Sequence, residues 1–150
     1  MTVALAFSGW GDALMTRLGV ATLIGYQSFR IVVEIFLWWG HREGVVPVQM
    51  TWEGRNFDVL TGLLALPLVW MGARAPRWLI AGWNVLGLGL LVNVVSVAVL
   101  SIPGPFQQFA AVNWFVAEFS FIWLPAFLVP SALMGHLLVW RWMGRGGSDG

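Results

Sequence analysis

Ionisable side chains are scarce in this chain, and some of them fall on one line. At about 100° per residue Gln27, Arg30, Glu34 and His41 lie within roughly 60° of one another, a polar stripe along an otherwise apolar helix. Arg30 sits near the middle of that helix. An arginine or acid at the centre of a membrane helix costs about 2.5 to 3.5 kcal/mol, while each Leu, Ile, Val or Phe returns about 0.3 to 0.6. The eleven such residues between Leu18 and Leu37 roughly offset the two charges, so this helix alone inserts only marginally. Arg30 and Glu34 are i,i+4 neighbours, and the expectation is that they pair with each other and turn the stripe toward other helices or a wet cavity. Two readings stand side by side. The pair is an architectural tie, or it belongs to a proton or anion pathway or a ligand site.

A second polar group, Arg55, Asn56 and Asp58 in the string GRNFD, precedes an apolar run. Asn56 suits a helix N-cap and Asp58 the first turn, where the helix dipole favours a carboxylate. The alternative is that Arg55 and Asp58 join Glu34 at the outer mouth of a polar cavity. Gln27, Arg30, Glu34 and Asp58 are therefore the candidate intramembrane polar site. Catalytic triads, phosphate loops and HExxH are absent, and no nucleophile stands with a base at matched depth. The expectation is no enzyme and no catalytic residue.

The elements that carry these residues belong in a membrane. Of 150 residues, 59% are hydrophobic and 10% charged, against about 25% charged in soluble domains. The mean hydropathy is +0.78. The net charge of +1 comes from eight arginines and seven acids, scattered rather than clustered, so no nucleic-acid footprint exists. Absence of cysteine removes disulfides, thiolate metal sites and palmitoylation. Absence of lysine beside many Trp, Gly, Ala and Arg points to a GC-rich bacterial genome. The leader MTVALAFSGWGD lacks a basic n-region and a cleavage site, so the first spanning helix is expected to act as an uncleaved signal-anchor.

Apolar runs of spanning length cover residues 18–39, 57–73, 78–100 and 119–142. They predict an all-α fold, an integral membrane bundle of four transmembrane helices forming one domain. Continuous runs rather than alternation exclude a barrel. Pro125 and Pro130 should kink or unwind the last span. Arg17, Arg74, Arg77, Arg141 and Arg145 outnumber Arg42 and Arg55 on the other side, which puts both termini in the cytoplasm. Trp38, Trp39, Trp70, Trp78, Trp83, Trp140 and Trp142 lie near span ends as aromatic belts. The connection 40–56 is expected along the interface, and the tail GRGGSDG to be flexible.

In the third span Gly82, Gly89, Asn93 and Ser96 share a face and read as a packing seam, with Asn84 pointing the other way. His41 falls at the outer rim and His136 about one turn from the inner rim. They cannot ligate one iron within a monomer, so no haem, metal or other cofactor is expected. Arg55, Asn56, Asn93 and His136 are thus outer-rim or packing candidates.

The strings FRIVVE (29–34), MTWEGRNFDVLTG (50–62), WNVLGLGLLVN (83–93) and FIWLPAFLVP (121–130), followed by His136, resemble an uncharacterised family of small bacterial multi-pass membrane proteins. The resemblance covers most of the chain from Tyr26 to Leu138, and GRNFD is its most distinctive part. Members carry further hydrophobic sequence ahead of the FRIVVE helix, where only a short leader stands here, which implies a shortened member or a start lying upstream. The resemblance implies a membrane bundle and no assigned activity. The reading is a non-enzymatic structural or accessory component of a bacterial inner membrane. Its alternative is a small transporter or channel subunit that uses the Arg/Glu stripe. Expected partners are the lipid bilayer and a second copy or another membrane protein, with no nucleic acid.

Overall fold

The computed structural model describes residues 1–118 and 121–145, the Ala73 side chain excepted. Phe119, where the last span was expected to begin, and residues 146–150 of the tail lie outside them. Every regular element among the described residues is helical: α1 (Thr2–Ala6), α2 (Gly9–Tyr26), α3 (Phe29–Arg42), α4 (Val59–Met71), α5 (Arg77–Leu100) and α6 (Val129–Gly144). Among the described residues three stretches, rather than four, are long and apolar enough to cross a membrane: Gly9–Arg42, Arg77–Leu100 and Leu124–Gly144.

The first stretch has 34 residues, about 51 Å if straight and more than the roughly 30 Å of a hydrocarbon core. Two breaks take up the excess. Gly19 has φ 70° and ψ 159°, a conformation open to glycine, and it kinks α2 one residue past Leu18. At Gln27 and Ser28 the backbone N–H groups bond to carbonyls three residues back, Ile24 and Gly25, and α3 starts afresh. The segment before Gly19 is held on the end of α6, where Arg141 Nη1 donates to the carbonyls of Ala6 (2.6 Å) and Ser8 (3.0 Å). Arg141 Nη2 lies 2.6 Å from Asp12, and Arg145 bonds the same carboxylate.

The expected second span is shorter than its apolar run. α4 has 13 residues, about 20 Å, with Asp58 at its N-cap and Gly72 (φ 53°) at its end. Part of the chain before it packs into the bundle. Val46, Gln49, Met50, Thr51 and Asn56 are buried, and the segment satisfies itself through bonds such as Asn56 N–H to the Thr51 carbonyl (3.1 Å). Gln49 Nε2 ties it to the other outer connection, donating to the Ala111 carbonyl (2.6 Å) and to Ser101 Oγ (3.2 Å). Irregular backbone is tolerated at membrane depth only where protein buries it.

Two apolar clusters bracket the bundle. At the arginine-rich end Leu23, Ala65, Leu68, Ile80, Leu138 and Val139 pack together. At the loop end Leu37, Val46, Met50, Val97 and Phe115 do so. Along one face α5 buries Ile80, Trp83, Asn84, Gly87 and Leu91. This is the face opposite the expected seam. A Cβ added at Gly82 or Gly89 would meet nothing within 4 Å, and Ser96 is exposed. Asn93 instead donates to the Arg55 carbonyl (2.7 Å). Trp83 is likewise no belt residue, being 4% exposed with its N–H on the Thr61 carbonyl (3.0 Å). Trp39, Trp70 and Trp78 are exposed as belts require. Residues Leu124–Leu128, with Pro125 inside, form a π-helical turn ahead of α6, the irregularity expected of the prolines.

Candidate functional site

Where α3 begins, the break leaves Arg30 in the middle of the bundle, and the elements around it supply its partners. Arg30 is 2% exposed. Its Nη1 forms an ion pair with Asp58, the cap of α4. Nε donates to Gln27 Oε1 at 3.2 Å, and Nη1 also faces the Gly87 carbonyl of α5 at 3.5 Å. The expected Arg30–Glu34 pair is not formed. Glu34 takes a hydrogen bond on Oε1 from Asn56 Nδ2, which also reaches the Met50 carbonyl (3.0 Å). The helical break explains the exchange: the buried loop delivers Asn56 and Asp58 to positions between the two charges, and each takes one.

The N-cap of α4 is Asp58 rather than the expected Asn56, whose Oδ1 instead accepts the Asp58 N–H at 3.1 Å in the turn ahead of the helix. Asp58 serves both readings at once, lying at the start of α4 and in the polar cluster. Arg55 does not join them. It is exposed, with its guanidinium 5.5 Å from the Phe109 ring. His41 is held apart at the loop end, Nδ1 being 2.8 Å from the Val46 carbonyl.

A second buried group adjoins the first. Gln27 Nε2 donates to the Ala132 carbonyl of α6 at 3.0 Å. His136 is fully buried. Its Nδ1 lies 2.6 Å from Asn84 Oδ1, and Asn84 Nδ2 donates to the His136 carbonyl at 3.1 Å. With Asn84 so oriented, Nδ1 carries the imidazole proton. Asn84 therefore faces inward rather than to the interface. Sequence reasoning passed over it, although a second asparagine in an apolar span is costly for the same reason as Arg30 and signals a buried partner. It also passed over Gly62, Gly87 and Gly135. An added Cβ on Gly87 would come within 2.8 Å of both His136 Nε2 and Thr61 Cγ2.

The polar cluster forms one end of a cavity of about 270 Å³. Arg30, Glu34, Asn56 and Asp58 are its polar wall, and the other lining side chains are apolar. It runs between α3, the second half of α5 and the π-helical turn. Arg30 Nη2, Glu34 Oε2 and His136 Nε2 are buried without a hydrogen-bond partner. No group of three or more His, Cys, Asp or Glu able to hold a metal occurs among the described residues.

No curated protein and no solved structure matches this sequence. A family model described as a domain of unknown function, DUF8737, matches residues 2–143, which include every residue of the polar cluster and its cavity, and the chain belongs to that family.

Proposed function

We propose that this protein is a non-enzymatic multi-pass component of a bacterial inner membrane, with a structural or accessory role. The observation that carries this reading is the way the buried charges are used. Arg30 of α3 holds Asp58 of α4, Glu34 holds Asn56 of the loop, and Gln27 holds the Ala132 carbonyl of α6. These residues bond to one another across the bundle, which favours a tie over a conducting path.

In this reading the chain crosses four times, the second crossing being composite. Asp58 stands level with Gly87 through Arg30, and Gly87 lies about 15 Å along α5 from Arg77. α4 then fills the half of the bundle toward the arginine-rich end, and the buried loop fills the other half. Arg77 bonds the Met143 carbonyl at 2.5 Å, gathering Arg74, Arg77, Arg141 and Arg145 at one end, the cytoplasmic one by the positive-inside rule. Open space beside Gly82 and Gly89 leaves that face of α5 for lipid, a second copy or a membrane partner.

Reconstitution into liposomes tests the role. Vesicles holding the protein should keep pH and potassium gradients as long as empty vesicles do. A leak abolished by Arg30→Leu would replace the structural reading with transport.

A further inference from the structure

The cavity beside the polar cluster has the build of a ligand site. Its apolar wall reaches the surface where Val95 and Val99 of α5, and Ile102 just past its end, are exposed, as is Pro125 of the π-helical turn. Val95 and Val99 lie within the membrane-length stretch Arg77–Leu100, which makes lipid the natural neighbour of this rim. A cavity of about 270 Å³ takes the head and the first part of one hydrocarbon chain rather than two, and the rest of a longer tail passes out through the mouth. The turn that shapes the mouth is itself irregular, and π-helical turns recur at functional sites.

The polar wall restricts the head of the occupant. Arg30 and Glu34 are both 2% exposed, both line the cavity, and each has one unpartnered atom, Nη2 as donor and Oε2 as acceptor. Leaving such buried groups unpaired is costly, so a ligand that serves both is favoured. One guanidinium faces two carboxylates, Glu34 and Asp58, which disfavours an anionic head. An ammonium head could serve Glu34 but has no acceptor to offer Arg30 Nη2. A hydroxyl meets both needs, its oxygen accepting from Arg30 and its proton bonding to Glu34.

We infer that this cavity binds a neutral single-tailed amphiphile with a hydroxyl head, a long-chain alcohol taken from the bilayer. The tail gains little by leaving lipid for an apolar wall, so selectivity resides in the head. The inference is independent of the structural role above, because a closed side pocket conducts nothing in either case.

Binding of radiolabelled 1-dodecanol to the protein in phosphatidylcholine nanodiscs tests it. The expected result is saturable binding of one dodecanol per chain, displaced at least tenfold more effectively by unlabelled dodecanol than by dodecane or dodecanoate. Val95→Trp, at an exposed rim position, should abolish binding while circular dichroism and the melting temperature stay unchanged. Glu34→Gln, which keeps a hydrogen-bonding group, should weaken dodecanol at least fivefold and leave dodecane competition as it was. Absence of saturable binding overturns the inference, as does equal displacement by dodecane, which would leave an unselective apolar groove. Tighter binding of dodecanoate overturns it too, by making the site an anion site.

Discussion

A guanidinium among apolar helices cannot shed its charge by losing a proton, whereas a carboxylate can gain one. This asymmetry makes the Arg30–Asp58 pair testable without knowledge of function. Asp58→Leu strands the Arg30 charge, and breaking a buried pair in this way costs about 3–5 kcal/mol. Arg30→Leu leaves acids that can protonate, so it should be the milder single change. The double replacement Arg30→Leu with Asp58→Leu removes both members and should restore most of the stability. Thermal melts in detergent check the series. A double variant with Glu34→Leu in place of Asp58→Leu should show much weaker coupling to Arg30, and equal coupling would restore the i,i+4 pair. At this scale the sequence displayed which residues were expensive but not who their partners were. Arg30, Glu34, Gln27 and Asp58 stand out by type alone, and all four gather at one place. Their pairing depends on a buried loop that brings Asn56 and Asp58 between them, and no local spacing encodes that.

Helices in a membrane approach closely where small residues allow it, yet a small residue on lipid looks the same in sequence as one in a seam. On α5 the two faces compete, Gly82 and Gly89 against Gly87, and the buried polar side chains decide between them. Asn84 must meet His136, so the Gly87 face turns inward and the Gly82 and Gly89 face outward. Gly87→Leu would drive a side chain into His136 and Thr61 and should destabilise by about 1–3 kcal/mol or more, as overpacking does. Gly89→Leu should leave the melting temperature of the single chain unchanged. Melting both variants in detergent checks this, and the reverse order would mean that the Gly89 face is the packed one. Element boundaries were legible where glycine or proline marks them: the kink at Gly19 adjoins Leu18, and Pro125 lies in the π-helical turn. The break at Gln27 and Ser28 carries no such mark. Its two polar side chains act differently, Gln27 reaching across to α6 and Ser28 Oγ donating back to the Gly25 carbonyl of α2 at 2.7 Å.

For the whole chain, length alone divides the possible topologies. Thirteen residues of α4 reach about 20 Å, short of a hydrocarbon core near 30 Å, so an isolated α4 would not cross. Joined to the partly buried loop it has a continuous path from the Arg30 level to the loop end. The composite crossing predicts that the turn at Arg74 and the loop at Glu43 lie on opposite sides of the membrane, with Gln107 on the side of Glu43. Because the chain has no cysteine, single replacements of exposed positions give an unambiguous readout. Glu43→Cys and Gln107→Cys should react with a membrane-impermeant maleimide on intact spheroplasts. Arg74→Cys should react only after the membrane is opened, because the positive-inside rule expects the arginine-rich end in the cytoplasm. Labelling of Arg74→Cys together with Glu43→Cys would mean that α4 and its loop return to the side they left, so that three crossings carry the fold and the polar cluster closes over a re-entrant segment.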